Sequence, residues 1–582
     1  MSKLNIDQKT IKGLFSAKKT NFLIPDYQRP YAWGENECMT LWEDLFLFSF
    51  PNDNCDEFDS ESDEYFLGPI VTFKNDENKM EIIDGQQRLT TLMLLLRAFY
   101  DKYGNMKDDR SKQTSRSIEQ CIWKTDEFGD ANKSVLKIDS EVATDEDKEE
   151  FLNILKKGFV TDKEKSRYAN NYRFFQKKIK EFLNMYPDWF SYLPTRIMNS
   201  CILLPIEAES QDTALRIFST LNDRGKALSD ADIFKAQFYK YYSDKDEKEE
   251  FIHKWKNLEV LCKYIFPSSN ESSLDEIFTR YMYYERAKQG NKTSTTEALR
   301  KFYERNGYEL LRNDKTFDNI IDLANFWEDV TNQNKDNFSE KVLKRLFVLN
   351  NAPNGMWTYF VSVYYMSYRD DEGLLNDKEF YQFLNKITAF IWTYAVTNPG
   401  VNSLRTPIYS EMINVINKQS VTFDEFLFNA DEVESLFRNY DFNNYRPITK
   451  SMLTWWAFQD PEQQLFPFGT KMDIEHIYAK NRQIKENSLS NPKNIESLGN
   501  KSILEKRINI RASDYRFEDK CRYYIGGIKN KSNQIKKGTE IKELINLAND
   551  KVDFTETDIE QRHDKIISSF IEFINKNNLL KN

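Results

Sequence analysis

Residues 81–103 read EIIDGQQRLTTLMLLLRAFYDKY. A β-type run enters Asp-Gly, three polar side chains follow, and only then does an apolar helix begin. Leu89, Leu92, Met93, Leu96, Phe99 and Tyr100 recur at the i, i+3, i+4, i+7, i+10 and i+11 spacing of one helix face. Asp84 is placed to act as N-cap with Gln87 three residues on, in the manner of a capping box, and Gly85 permits backbone geometry that a Cβ resists. The polar cluster therefore falls on a strand-to-helix turn. Such a turn offers an anion spare backbone N–H groups and a partial positive charge, and Arg88 adds a forked, permanently charged donor. A phosphate suits the site; a capped helix with solvated Gln and Arg is the plainer alternative.

Working outward, 582 residues exceed what one core holds, and the length suggests roughly three or four domains. The hydrophobic fraction of 40% and aromatic fraction of 14% supply packed cores, while the negative mean hydropathy points to a soluble surface. The sequence contains neither a long apolar run nor a signal-peptide pattern at its start, so a cytoplasmic protein is expected. Cys38, Cys55, Cys121, Cys201, Cys262 and Cys521 are scattered with no CxxC pair, which argues for free thiols rather than disulfides or a zinc cluster. The net charge of −10 excludes a chain coated in nucleic-acid-binding charge. Residues 471–544 run against it, with 17 Lys+Arg and 10 Asp+Glu. Residues 52–64, NDNCDEFDSESDE, carry seven acids and no base, as a solvated, mobile loop would.

The expected class is α+β and multidomain. Short extended runs (FLIPDYQRPYAW, YFLGPIVTF, KMEIIDG, SCILLPIEA) alternate with helices over 1–240. Residues 241–430 turn almost wholly helical and rich in Phe, Tyr and Trp, read as helix-packing core. A basic C-terminal part follows over 431–582.

Four motifs carry chemistry. IPDYQRPYAW (24–33) is stiffened by two prolines and crowds Tyr27, Gln28, Arg29, Tyr31 and Trp33 into a loop suited to a planar base or sugar, or simply to closing a domain edge. DGQQR is the second. In the third, FSTLNDRGKALSDADIFKAQFY (218–239), Asn222 to Gly225 form a turn, Ser229 with Asp232 caps the next helix, and Arg224, Lys226 and Lys235 are able to face the same anion as Arg88. The fourth joins KMDIEHIYAK to SLGNKSILEKRIN. Metal-assisted phosphodiester cleavage needs oxygen ligands for a divalent cation, a neutral imidazole to deprotonate water, and a group that orients it. Glu475 and Asn509 suit the ligands, His476 the general base and Asn500 the orienting group. His253 and His563 have no such company and read as helix-surface residues.

DYQRPYAW, FLGPIV, IIDGQQRLTTL and LNDRGKALSDADIFK resemble the N-terminal domain of the GmrSD family of modification-dependent restriction endonucleases, and DIEHIYAK, LGNKSILEKRIN and RFEDKCRYY resemble its C-terminal nuclease domain. The resemblance implies a ParB/sulfiredoxin-like nucleotide-binding and sensing domain over 1–240, a helical linker domain over 241–430, and an HNH nuclease domain of the ββα-metal class over 431–582. It implies a nucleotide-regulated DNA endonuclease of bacterial, anti-phage defence that binds and hydrolyses a nucleoside triphosphate, with GTP the first choice. By the same resemblance, Asp84, Gly85, Gln86, Gln87 and Arg88 bind nucleotide, joined by Arg224 on the reading of its turn above; Tyr27, Gln28 and Arg29 match a loop for sensing or nucleotide binding and are assigned to sensing, and Glu475, His476, Asn500 and Asn509 form the nuclease set with Mg²⁺ or Mn²⁺. The partner is double-stranded DNA, modified phage DNA above all; no membrane is involved, and a homo-oligomer is left open. Two departures stand out: Glu475 where Asp is common, and Ala479 where Pro often follows. The rival is a nucleotide-dependent DNA clamp or sensor that does not cut; a soluble NTPase acting through protein partners is a third reading.

Overall fold

The computed structural model describes the chain except for residues 1–4, 143–144, 212, 215–216, 218–228, 268–271, 292–296, 401–402, 530–534 and 582. The fold is mixed α+β and divides into two compact units, Met1–Lys256 and Asn257–Asn582.

In the first unit, strands β1 (Asn5–Ile6), β2 (Lys9–Thr10), β3 (Phe22–Ile24), β4 (Tyr65–Lys74), β5 (Met80–Asp84), β8 (Ile138–Ser140) and β9 (Cys201–Ala208) form one mixed sheet. Strands β6 (Trp123–Thr125) and β7 (Ala131–Leu136) pair separately. The sheet order is β1-β9-β4-β5-β3-β8, with β2 also on β9. The four runs read as extended supply its consecutive centre, β9-β4-β5-β3, although only Phe22–Ile24 of the first run is strand. β4 and β5 are antiparallel, so the chain leaves β4, turns, and delivers β5 directly into the Gln86–Tyr103 helix.

That helix is more deeply embedded than one apolar stripe requires. Leu89, Leu92, Leu94, Leu95 and Phe99 are all buried, and so are Thr90, Thr91 and Arg97. The reason is packing on two sides, against the Asp109–Ile122 and Arg167–Met185 helices. A helix buried all round reads as core rather than surface. Arg97 is accommodated by donating to the Leu155 carbonyl at 2.9 Å and pairing with Asp101. The acidic stretch over 52–64 is an exposed run of short turns.

Between 241 and 430 every regular element among the described residues is helical. In the second unit the aromatic residues of this region meet one another across helices, as in Tyr364–Phe383 at 4.0 Å and Phe326–Tyr365 at 4.2 Å between ring centroids. They are core, as the sequence suggests. The basic end contributes an antiparallel hairpin of β10 (Met472–His476) and β11 (Lys501–Glu505), followed at once by the Lys506–Ala512 helix, then the Phe517–Ile525 helix and the long Glu556–Lys576 helix. A small pair, β12 (Gly526–Lys529) and β13 (Ile535–Lys537), lies between the last two. All six cysteines are free thiols. No described helix is long and apolar enough to cross a membrane.

Candidate functional site

At the β5-to-helix turn the cap differs from the sequence expectation. Gly85, not Asp84, is the N-cap, at φ +94°, a region that glycine enters without a Cβ penalty. Asp84 Oδ1 instead accepts from the Gly85 N–H at 2.7 Å, and no capping box forms. Gln87 is engaged elsewhere: its Oε1 accepts from Ala32 N at 2.6 Å and Trp33 N at 3.2 Å. Gln86 Nε2 donates to the Arg29 carbonyl at 2.8 Å. Both glutamines are buried. They staple the Pro-rich loop onto the turn, which occupies side chains that the sequence offers to a nucleotide.

The loop answers in kind. Gln28 Nε2 donates to the carbonyls of Ile82 and Ile83 at 3.1 and 3.2 Å, and Tyr27, buried against the Tyr239 ring, donates to Glu81 at 3.1 Å. Asp84, Gly85, Arg88 and Arg29 are left half-buried at the turn. Arg88 Nη1 donates to the Pro69 carbonyl at 2.9 Å. Its guanidinium passes under Gly68, where a Cβ would lie 3.0 Å from Nη2, so the glycine of FLGPI makes room for the arginine. Burial raises the Asp84 carboxyl, with Arg88 and Arg29 opposing. Arg224 and Lys226 lie outside the described residues. Ser229 does cap the Asp230–Ser243 helix, accepting from Asp232 N at 3.3 Å, and Lys235 is buried within that helix.

In the second unit, Glu475 and His476 end β10 opposite Ser502 and Lys501 of β11. Consecutive strand residues face opposite sides, and their partners agree. Glu475 is buried, with Oε1 2.9 Å from Lys520 Nζ and accepting from Tyr524 Oη at 2.5 Å. His476 instead meets Glu496, whose Oε2 lies 3.5 Å from Nε2, too long for a well-formed hydrogen bond. His476 Nε2 is buried without a hydrogen-bond partner among the described residues. Lys480 and Lys501 both bond Glu496. Lys520 Nζ also donates to the His476 carbonyl and so links the two clusters.

Asn500 is fully buried and orients chain rather than ring. Its Oδ1 accepts from Tyr478 N at 2.7 Å, and its Nδ2 donates to the carbonyls of Tyr478 and Ile495 at 3.1 and 3.0 Å. The segment directly after the histidine is thereby fixed. The Glu556–Lys576 helix holds the same turn from outside: Arg562 Nη1 donates to the carbonyls of Leu498, Gly499 and Lys501, and a Cβ on Gly499 would lie 1.9 Å from the Ile559 carbonyl oxygen. His563, expected on the helix surface, is half-buried with Nδ1 3.0 Å from Ser497 Oγ, because this helix lies against that turn. His253 is exposed, as expected. Asn509 stands half-buried in the Lys506–Ala512 helix, and no hydrogen bond joins it to Glu475 or His476.

Two family models fall on these two regions. The GmrSD restriction endonuclease N-terminal domain matches residues 11–239, and the GmrSD restriction endonucleases C-terminal domain matches residues 429–569. The chain belongs to the GmrSD restriction endonuclease family. No curated protein matches it. The GmrSD N-terminal domain contains the Gly85 turn and its loop, and the GmrSD C-terminal domain contains the β10–β11 hairpin and the helix after it. Its domain pair makes this GmrSD chain a restriction nuclease, with DNA as its partner.

Sequence reasoning missed the charged residues that set the electrostatics of the GmrSD C-terminal site. Burial first, then Lys480 and Lys501, hold His476 down at about 4, with Glu496 pulling the other way. Burial pushes Glu496 up, but its bonds to Lys480 and Lys501 outweigh this and hold it at about 2. The imidazole is thus neutral and the carboxylate charged near neutral pH. Burial also raises Glu475, opposed by Lys520 and Tyr524. Lys520 and Tyr524 sit at i, i+4 in RFEDKCRYY, a face that the sequence exposes to notice; Glu496 has no local pattern to mark it.

Proposed function

We propose that this GmrSD protein is a nucleotide-regulated, metal-dependent DNA endonuclease of the cytoplasm that cuts foreign, modified DNA in anti-phage defence. The observation that carries the reading is the half-buried His476 at the end of β10, held neutral, whose Nε2 has no well-formed hydrogen bond among the described residues. A general base needs a free lone pair and a pKa below the working pH. His476 Nε2 takes the proton of the water that attacks phosphorus, Glu496 lies beside the imidazolium that forms, and Asn500 keeps the following segment in place. The succession of β10, β11 and the Lys506–Ala512 helix supports an HNH, ββα-metal assignment, and the mixed sheet of the first unit suits a ParB/sulfiredoxin-like sensing and nucleotide-binding domain over 1–240. Residues 241–430 serve as the helical linker and 431–582 as the nuclease domain.

The carboxylate of Glu475 and the carboxamide of Asn509 are hard oxygen donors of the kind that Mg²⁺ or Mn²⁺ prefers. Burial raises the Glu475 carboxyl overall, and Lys520, 2.9 Å from Oε1, acts against that in favour of the ionised form such a ligand requires. In kind the residues fit, and they would hold the cation. When bound, it supplies charge stabilisation to the reacting phosphate. In the N-terminal domain, Asp84, Gly85, Arg88 and Arg29 offer the GTP phosphates a helix N-terminus flanked by two guanidinium groups. Gln86, Gln87, Tyr27 and Gln28 act there as the frame.

Cleavage of modified phage DNA with Mg²⁺ or Mn²⁺, with and without GTP, tests the reading in wild type and Arg88→Ala. The wild-type rate changes by about tenfold or more with GTP, and the variant loses that response. A wild-type rate that ignores GTP removes nucleotide regulation, and absence of cutting removes the nuclease.

A further inference from the structure

The second unit contains a cavity of about 890 Å³ that shares no residue with the nuclease hairpin. Its walls come from the Glu340–Leu349, Met356–Tyr368, Asp377–Thr397 and Glu556–Lys576 helices and from the segment that follows the Arg405–Ile416 helix. Four cations line it, Arg345, Lys386, Lys418 and Lys576, with Glu379 the one carboxylate in the lining; Lys576 also pairs with Glu572 at 2.7 Å and Lys418 donates to the Ser367 carbonyl.

Arg345 is the decisive group. It is 8% exposed, yet its Nε and Nη1 have no hydrogen-bond partner among the described residues. Its guanidinium lies 5.0 Å from the Phe573 ring centroid. Burying a charge without a countercharge is costly, and proteins tolerate it chiefly where a ligand supplies the missing partner. Asn385 Oδ1, on the same wall, is a second buried polar atom with no hydrogen-bond partner among the described residues. Burial pushes Arg345 and Lys386 below their usual ranges, opposed only in part by the Tyr381 hydroxyl at the arginine and by Glu411 and Asp424 at the lysine. Lys418 lies over the Tyr368 ring at 4.3 Å, and Tyr364 and Tyr381 add aromatic surface and hydroxyls. The volume is that of a small-molecule site.

We propose that this cavity binds a phosphorylated ligand of nucleotide size, with Arg345 donating to the phosphate oxygens, Lys386 and its neighbouring lysines supplying countercharge, and the tyrosine-lined wall receiving the ring system. A phosphate brings several oxygens to one place, and a buried guanidinium with unused N–H groups suits them better than a single carboxylate would. The site is separate from the Gly85 turn in the first unit and does not depend on how that turn is used.

The test is calorimetric titration of the full chain with ADP and with inorganic pyrophosphate, in an Arg88→Ala background so that the Gly85 turn does not contribute. ADP binds, and pyrophosphate binds about tenfold more weakly. Arg345→Met weakens ADP about tenfold or more, while the melting temperature of the ligand-free protein holds or rises because an unpaired buried charge is gone. Lys386→Gln, at a half-buried position, weakens ADP several-fold and carries the test if the arginine variant misfolds. No ADP binding at about 1 mM, or affinities within about twofold of the parent in both variants, overturns the proposal. Equal affinity for ADP and pyrophosphate overturns the part assigned to the tyrosines.

Discussion

At the scale of the residue, His476 illustrates how neighbours rather than identity set a role. A free imidazole titrates near about 6.5, but burial and two lysines hold this one at about 4. Cleavage attributed to His476 therefore keeps its acid limb near pH 4 instead of near neutrality, and Lys480→Gln, which removes one opposing charge, moves that limb upward. A pH profile of kcat/KM checks both; a wild-type limb centred near about 6.5 contradicts them. The same shift bears on stability. As pH falls from about 6.5 to about 4 the unfolded chain takes a proton at His476 that the folded chain refuses, so stability drops across that window. The sequence singles out His476 and Asn500 by their spacing with Glu475 and Asn509, and in the fold Asn500 bonds the segment directly after His476. What Asn500 does was not legible, because a carboxamide near a histidine in sequence reads as its orienter, whereas here it bonds the backbone of Tyr478 and Ile495.

At the scale of the element, the strand-to-helix turn rests on side chains that the sequence presents as ligand readers. The helix and β5 were plain from periodicity, because apolar spacing is a local signal. The capping geometry was not, since Asp84 with Gln87 and Gly85 alone satisfy the same short pattern. The partners of Gln86 and Gln87 lie more than fifty residues away in the chain, at Arg29, Ala32 and Trp33. No local rule reaches them. Gln87→Ala strips the acceptor from two backbone N–H groups, and each group left unpaired costs about 1–3 kcal/mol. The variant should melt several degrees below wild type, and Gln87→Glu, which keeps an acceptor, should fall less. Equal melting temperatures for Gln87→Ala and wild type would mean that the staple contributes nothing.

At the scale of the whole molecule, composition and charge predicted more than pairing did. The helical character of 241–430, the free cysteines and the aromatic core all follow from local content. The sheet order does not: β9, from residues 201–208, pairs in parallel with β4, from residues 65–74, and such non-local pairing leaves no mark in a single sequence. The chain carries a net charge of −10 yet concentrates 17 Lys+Arg against 10 Asp+Glu over 471–544, the stretch that holds the hairpin, where phosphate-binding charge is useful. The GmrSD domain pair accounts for both ends of the chain, and the central claim is that its C-terminal part cuts DNA through His476. The most direct measurement is single-turnover nicking of modified phage DNA by wild type and by His476→Ala, with circular dichroism to verify the fold of each. The account predicts a loss of about 100-fold or more with the fold intact; a variant rate within about threefold of wild type would contradict it.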